Sequence, residues 1–206
     1  IGQDAGMLAG VGDIGATVVD SLADVIETAD VVIEFTLPEA TLANLRVAVK
    51  HGVPMVIATT GFDAGQQEQL DDLTARIPCV MASNYSIGVN ALAKAVSMMA
   101  ETLGDPYDIE IVEAHHNQKV DAPSGTAVTL LKAAADGVSR SVDDVAIYGR
   151  EGIVGARPEK EIGVHAVRGG DIVGDHTVMF VGMGERVELT HRAQSRQTFA
   201  NGAIRA

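Results

Sequence analysis

The chain has 206 residues, 47% of them hydrophobic, and a formal net charge of −13. This size allows one large domain or two small ones, while the charge argues against a nucleic-acid backbone as partner and leaves an anionic small molecule open. No apolar run approaches the ~20 residues of a membrane span, no signal peptide is visible, and the single cysteine, Cys79, is typical of a reducing, cytoplasmic compartment.

The first part of the chain alternates short apolar runs with helix-like segments. Strands are predicted at residues 31–35, 54–58 and 78–81 from their apolar, partly β-branched composition. Helices are predicted from Pro38 to about residue 52 and from Gln66 to Arg76. This alternation is typical of βαβ units that form a parallel sheet.

The ends of these three strands are candidates for a common binding site. Ligands of parallel α/β sheets bind beyond the carboxyl ends of the strands, and each predicted strand leads into a segment that carries hydroxyl or amide side chains. The segments are Phe35-Thr36-Leu37, Ala58-Thr59-Thr60 and Ala82-Ser83-Asn84-Tyr85.

The later part of the chain has a different character. A helix is predicted over residues 90–103, a strand over 109–113 and a second helix from Ser124 or Gly125. Three strand patterns then follow one another, which predicts a run of antiparallel strands: 162–168, 177–181 and 186–192. Gly182-Met183-Gly184 is predicted to join the last two strands as a hairpin.

One glycine-rich segment near the start imitates a nucleotide-binding loop. Gly10-Val11-Gly12-Asp13-Ile14-Gly15 matches the G-x-G-x-x-G pattern letter for letter. That fingerprint must follow a strand and open a helix. Here IGQDAGMLA precedes it without a strand pattern, and Val18-Val19 and an acidic segment follow it. We therefore interpret it as an ordinary loop.

The stretch from Glu113 to Ala127, EAHHNQKVDAPSGTA, carries the most chemical information. It places two adjacent imidazoles, a lysine, two acids and a Ser-Gly-Thr turn between two apolar runs. The order of strand, polar loop and helix is typical of a catalytic loop held by a rigid frame. His and Lys are readily tuned toward neutral pH, and the N–H groups of a helix start form an anion site.

This stretch resembles the signature of the dihydrodipicolinate reductase (4-hydroxy-tetrahydrodipicolinate reductase) family, E-A-H-H-x-x-K-x-D-A-P-S-G-T-A, at every fixed position. Further segments look like family segments: FTLPEATL, ATTGF, ASNYSIGVN, RGGDIVGDH and TFANGAIRA. The resemblance implies reduction of a cyclic, conjugated imine dicarboxylate by NADH or NADPH in lysine and diaminopimelate biosynthesis. It also implies a homotetramer built through the sheet of the second domain.

The resemblance implies a role for each polar residue. It gives proton transfer to His115 and Lys119, and substrate binding to His116, Gly125 and Thr126. The chemistry of the residues agrees, because hydride transfer to a conjugated imine leaves negative charge that a tuned acid must protonate. The nicotinamide-nucleotide contacts fall on the strand ends: Phe35, Thr36, Leu37, Ala58, Thr59, Thr60, Ala82, Ser83, Asn84 and Tyr85.

Neighbouring polar residues have structural interpretations. Asp121 is expected to orient the loop or pair with Lys119, and Glu113 is expected to close the strand by hydrogen bonding. For Ser124, a purely structural N-cap is as compatible with the sequence as a role in the site. Arg168, His176 and Arg192 are expected to support the second domain or its assembly rather than touch substrate. A metal site formed by His115, His116 and Asp121 is disfavoured, since adjacent histidines rarely converge on one ion and Lys119 would repel it.

The predicted fold class is α/β. A Rossmann-like parallel-sheet domain, whose N-terminal part is missing, occupies residues 1–86. An α+β domain with a mixed sheet, for substrate binding and tetramerisation, occupies 87–195, and residues 196–206 return to the dinucleotide-binding domain. Both ends look cut, because the chain starts in a Gly-rich segment with no obvious element and stops as TFANGAIRA begins to look helical.

Two other functions remain compatible with the sequence. One is another two-domain nicotinamide enzyme acting on an amino-acid-like imine, which would keep strand ends such as Ala58-Thr59-Thr60 but need not keep His115, His116 and Lys119. The other is a non-catalytic fragment that binds the dicarboxylate and oligomerises. The family's glycine-rich phosphate turn has no counterpart in this sequence, and that absence favours the fragment.

Overall fold

The computed structural model describes all 206 residues, which form two compact units, Ile1–Ala82 and Ser83–Ala206. A three-stranded parallel sheet lies in the first unit and a five-stranded mixed sheet in the second. The predicted fold class is therefore confirmed. The three-part division at residues 86 and 195 stays a prediction. No helix in either unit is long and apolar enough to cross a membrane.

The first unit repeats a strand–helix pattern around a small apolar core. Its α-helices and strands in chain order are α1 (Ala5–Ala9), β1 (Val32–Glu34), α2 (Pro38–His51), β2 (Met55–Ile57), α3 (Ala64–Thr74) and β3 (Cys79–Met81). The strands pair in parallel in the order β1-β2-β3. Pro38 starts α2, and Gly52 ends it with a positive φ of 69°, where a side chain would be strained. Leu45, Met55 and Leu70 are buried between the layers.

A short helix, α1 (Ala5–Ala9), precedes β1, so the prediction that the N-terminal segment forms no element was wrong. The Asp4 side chain accepts from the Met7 N–H and caps the helix, and Gly10 ends it in the left-handed region. Propensity alone does not reveal so short a helix. The glycine pattern of residues 10–15 thus follows a helix and opens none, which confirms its interpretation as a loop.

The second unit packs two long helices on one face of its sheet. Its elements in chain order are α4 (Ile87–Leu103), β4 (Asp108–His115), α5 (Gly125–Gly137), α6 (Val142–Val145), β5 (Ala146–Tyr148), β6 (Ile162–Arg168), β7 (Gly174–Gly182), β8 (Glu185–Ala193) and α7 (Gln197–Arg205). The strand order is β5-β6-β4-β7-β8. Buried side chains of α4, α5 and the sheet, among them Val96, Leu130 and Phe180, form the main core.

The pairing of the late strands differs from the prediction. β7 and β8 form the expected hairpin, but β6 runs parallel to β4, so the run is not wholly antiparallel. A parallel neighbour requires a long crossover, and α5, α6 and β5 lie within it. The short elements α6 and β5 were not predicted, since neither four nor three residues give a readable period.

Strand β4 carries Glu110 on the face opposite α5. Its carboxylate accepts from Arg150, Arg157 and His165, which ties β4 to β6 and the preceding loop. The arginines outweigh the raising effect of burial and hold the pKa of Glu110 at about 2. Gly163 pairs with Glu110 across the sheet, and a Cβ at that position would overlap the carboxylate.

The close approach of α4 and α5 predicts an unusual substitution effect. An added Cβ at Gly137 would overlap the Ser97 carbonyl oxygen of α4, so we expect Gly137→Ala to lower the free energy of unfolding by about 1–3 kcal/mol through overpacking. At the exposed Gly65 of α3 a Cβ meets only ordinary contact, so Gly65→Ala should raise it by about 0.5–1 kcal/mol. Urea unfolding of both variants measures the difference, and a stabilised Gly137→Ala would contradict this packing.

Candidate active site

The end of β4 places the first two site residues. Burial alternates strictly along the strand, so Glu113 and His115 share the buried face with Ile111. The strand ends at His115, and the following residue, His116, is free of the strand's alternation. Successive strand residues point to opposite faces, so two adjacent histidines can serve one site only where the strand has ended, as it has here.

Glu113 is fully buried and accepts hydrogen bonds on both carboxylate oxygens. Arg168 of β6 donates one bond to each oxygen, both at 2.8 Å. His115 Nδ1 lies 2.6 Å from Oε2, and the backbone N–H of Ser124 donates to Oε1 at 3.0 Å. Burial alone raises the pKa of Glu113, but these donors outweigh it and hold the pKa below its usual value. The residue is a carboxylate at neutral pH.

His115 is a mostly buried imidazole with a carboxylate on one side. Burial lowers the pKa of His115, Glu113 raises it, and the positive charges of Lys119 and Arg168 lower it further, with a net lowering. The ring of His176 on β7 meets it edge to face, with centroids 5.1 Å apart. At neutral pH the ring is therefore uncharged in the free protein, and a nearby anion would favour its protonation.

Lys119 forms an ion pair with Asp121, as predicted from the sequence. Its Nζ lies 2.7 Å from Oδ1 and 2.9 Å from Oδ2, and the lysine side chain is 19% exposed. The Lys119 N–H also donates to the carbonyl oxygen of His116, which closes a turn in the loop. Arg168 donates to the carbonyl oxygen of Asp121, so the loop is tied to the same guanidinium as Glu113.

Ser124 caps helix α5 and is wholly buried. Its Oγ accepts from the Ala127 N–H and lies 3.0 Å from His176 Nε2. The N-cap interpretation is confirmed. The next two backbone N–H groups, of Gly125 and Thr126, have no acceptor within the protein, so they and the positive end of the helix are available to an anion.

Two residues predicted to contact the cofactor, Ser83 and Asn84, form side-chain hydrogen bonds with α5. Asn84 Nδ2 donates to Thr126 Oγ1 at 2.9 Å, and the hydroxyls of Ser83 and Thr129 lie 2.8 Å apart. The Thr126 side chain is 6% exposed. Its hydroxyl therefore accepts from Asn84, and its backbone N–H is the group without an acceptor in the protein.

His116 lies in a separate surface cavity of about 370 Å³. The residues that line this cavity are His116, Asn117, Gln118, Gly170, Asp171, Val173 and Arg196. None of the other predicted site residues His115, Lys119, Gly125 and Thr126 lines this cavity. His116 is joined to the proton-transfer residue Lys119 by a backbone hydrogen bond, in which the Lys119 N–H donates to the His116 carbonyl oxygen.

The strand ends of the first unit meet at one edge of its sheet, since Glu34, Ile57 and Met81 are in register. Phe35 and Leu37 are exposed there. The hydroxyl of Thr59 is different: it is buried and accepts from Thr41 at 2.7 Å. A side-chain contact from Thr59 to a ligand would break this pair. Thr60 is exposed. The backbone N–H of Ala82 donates a hydrogen bond to the carbonyl oxygen of Ile57.

The frame around His115 was only partly predicted. Arg168 and His176 were expected to support the domain, and they do so by holding Glu113 and Ser124. The role of Glu113 was underestimated, although its i, i+2 spacing from His115 on a strand could have indicated a shared face. No group of three His, Cys, Asp or Glu side chains is arranged to hold a metal ion.

The fold of this chain is similar to that of a solved dehydrogenase. A WlbA dehydrogenase from Chromobacterium violaceum, solved with NADH and UDP-GlcNAcA, matches it with a TM-score of 0.55 at 10% identity, over 97% of this chain and 71% of that chain. At this identity the likeness concerns the fold alone.

The chain belongs to the dihydrodipicolinate reductase family. The model of the family's N-terminus matches residues 1–85 and that of its C-terminus matches 88–206. The 4-hydroxy-tetrahydrodipicolinate reductases of Magnetococcus marinus and Acinetobacter baumannii are 57% and 52% identical over all 206 residues, which span 77% and 76% of those proteins. A dipicolinate-bound dihydrodipicolinate reductase from Paenisporosarcina sp. TG-14 matches with a TM-score of 0.69 at 28% identity, over 98% of this chain and 79% of that chain.

These comparisons confirm the family that the polar stretch suggested. Both halves of the chain match the same family, and each relative covers the first unit as well as the second. Nothing in them supports the non-catalytic interpretation.

The buried His176 predicts acid sensitivity. Burial, with a smaller effect of His115, lowers its pKa to about 4 from 6.5. As the pH falls below 6.5, His176 binds a proton in the unfolded chain but not yet in the folded protein. The free energy of unfolding therefore decreases until about pH 4, where the folded protein also binds the proton. From pH 7 to pH 5 the free energy of unfolding should fall by about 2 kcal/mol from this residue. Urea unfolding at the two pH values measures this loss. The His176→Gln variant should not show it, whereas the exposed-site control His51→Gln should show it in full.

Proposed function

We propose that this protein catalyses the NADH- or NADPH-dependent reduction of 4-hydroxy-tetrahydrodipicolinate, through its cyclic imine, to tetrahydrodipicolinate in lysine and diaminopimelate biosynthesis. The family membership supports the reaction. The observation that carries it to these residues is the single carboxylate, Glu113, which joins a histidine to an anion-binding helix start.

His115 and Lys119 are the proposed proton-transfer residues. Glu113 occupies His115 Nδ1, so exchange with substrate takes place at Nε2. A bound dicarboxylate brings negative charge near the ring, which favours the imidazolium and prepares it as an acid. The reduction consumes one hydride and one proton. Lys119, held by Asp121, is the second residue through which that one proton can be delivered, and it places a positive charge facing the substrate.

Gly125, Thr126 and His116 are the proposed substrate-binding residues. The free N–H groups at the start of α5 suit one carboxylate, because the helix N-terminus favours negative charge. His116 lies on the loop turn that is closed by the hydrogen bond from the Lys119 N–H. It is the proposed ligand of the other carboxylate when this loop contacts the substrate. Both sites recognise charge and geometry rather than an apolar surface, which fits a small dianion.

The nicotinamide cofactor supplies the hydride when bound. The strand ends fit such a group, because they meet at one edge of the sheet with exposed backbone and hydroxyl groups. The proposed contacts are Phe35, Thr36, Leu37, Ala58, Thr59, Thr60, Ala82, Ser83, Asn84 and Tyr85. For Thr59 the backbone is the proposed contact, since its hydroxyl bonds Thr41.

We further propose a cytoplasmic homotetramer that binds neither nucleic acid nor membrane. The single cysteine supports a reducing compartment, and the net charge of −13 disfavours nucleic acid. The long helices of the second unit cover one face of its sheet, which leaves the other face for contact between subunits.

Pyridine-2,6-dicarboxylate, a planar analogue of the substrate, should bind and stabilise the protein. At a hundredfold excess over its Kd it should add about 2.7 kcal/mol to the free energy of unfolding by mass action. Thermal melting with and without the compound measures this effect. The uncharged diamide of the same ring is the matched control and should give no shift. Equal shifts from both compounds would contradict the anion site.

Removing either proton donor should depress turnover much more than stability. We expect His115→Gln and Lys119→Met each to lower kcat by about 10²–10⁴-fold, the usual contribution of a positioned acid or base. Steady-state kinetics with NADH and with NADPH, beside urea unfolding, make the comparison. His51→Gln and Lys50→Met, at the end of α2, are the controls. Losses that match the unfolded fraction would indicate a structural role instead.

A further inference from the structure

Glu113 has more partners than closing a strand requires. It is 0% exposed, and its donors come from β4, β6 and the start of α5. Burying an ionised carboxylate is costly unless its partners compensate. Both oxygens are fully engaged here, so the arrangement is a built site and not an incidental burial.

One oxygen of Glu113 sets the state of the proton donor. Oε2 lies 2.6 Å from His115 Nδ1, and a carboxylate can only accept. The Nδ1 atom of His115 therefore carries hydrogen, which fixes the tautomer and the ring plane and directs Nε2 to exchange protons. The negative charge also stabilises the imidazolium form that donates.

The other oxygen sets the position of the anion site. Oε1 accepts from the Ser124 N–H at 3.0 Å, immediately before the free N–H groups of Gly125 and Thr126. Arg168 donates to both oxygens and also to the backbone carbonyl oxygen of Asp121, whose carboxylate pairs with Lys119. A single carboxylate thus connects the acid, the helix start and the lysine loop.

We infer that Glu113 is a positioning residue, which holds the proton donor His115 and the anion-binding start of α5 in one geometry. The inference rests on the function proposed above for His115 and for the Gly125–Thr126 turn. It assigns to Glu113 a part in both binding and turnover, without contact to the reacting atoms.

Four charged or titratable groups face His115. They are Glu113 on its own strand, Lys119 in the loop, Arg168 on β6 and His176 on β7. Among them Glu113 alone carries negative charge. Its removal should therefore lower the pKa of His115, and the alkaline limb of the kcat/KM profile, where the acid must be protonated, should move to lower pH.

Glu113→Gln tests the inference, because the amide keeps the size but loses the charge and one accepting atom. We expect kcat to fall about 100-fold, the Kd of pyridine-2,6-dicarboxylate to rise about tenfold, and the alkaline limb to shift down by about one pH unit. Glu110→Gln is the matched control: it lies on the same strand among arginines but on the other face. It should leave the pH profile in place.

Loss of activity in proportion to the unfolded fraction, with an unmoved alkaline limb, would overturn the inference. So would the same shift in Glu110→Gln. If Glu113→Gln does not fold, the tautomer of His115 in the wild-type protein remains decisive. Nitrogen-15 NMR of labelled histidine should find hydrogen on Nδ1 above the pKa, and hydrogen on Nε2 would refute the positioning.

The two proposals fail in distinguishable ways. A wild-type protein that does not reduce the imine would count against the proposed function. The His115 tautomer and the affinity for pyridine-2,6-dicarboxylate need no turnover, so they would still decide the role of Glu113. A reductase whose Glu113→Gln variant keeps wild-type affinity and tautomer would refute the positioning role alone.

Discussion

The paired hydrogen bonds from Arg168 allow a carboxylate to lie in the core of the second unit. Strand β4 otherwise buries aliphatic side chains on that face, as at Ile109 and Ile111. Without the guanidinium, Glu113 would be neutral or expelled, since an isolated buried charge is too costly. The ion pair lets one strand contribute first to the core and then, two residues later, to the proton chemistry of the site.

Most elements could be predicted because their signals are local. Pro38 and Gly52 mark the two ends of α2, and the apolar run before them marks β1. The polar stretch was recognisable for a similar reason, since its residues lie together in the chain. A strand, a loop and a helix in sequence order are enough to bring together His115, Lys119 and the start of α5.

What could not be predicted depends on partners distant in the chain. Arg168 and Glu113 are 55 residues apart, and only the parallel pairing of β6 with β4 brings them together. The sequence alone suggests that the hydroxyl of Thr59 is available to a ligand. In the structure it accepts a hydrogen bond from Thr41, 18 residues earlier in the chain. Period and composition report which face a residue takes, and they do not report which side chain it meets there.

The Glu110 face of β4 has a consequence for how sequences of this family can diverge. Gly163 leaves the space in which the Glu110 carboxylate lies, and Arg150 and Arg157 neutralise it. A side chain at 163 would require the Glu110 carboxylate to move or residue 110 to be shorter, and either change would disturb the common acceptor of the two arginines. These four positions are therefore expected to change together during evolution, so a substitution acceptable in one lineage would be harmful when transferred alone to another.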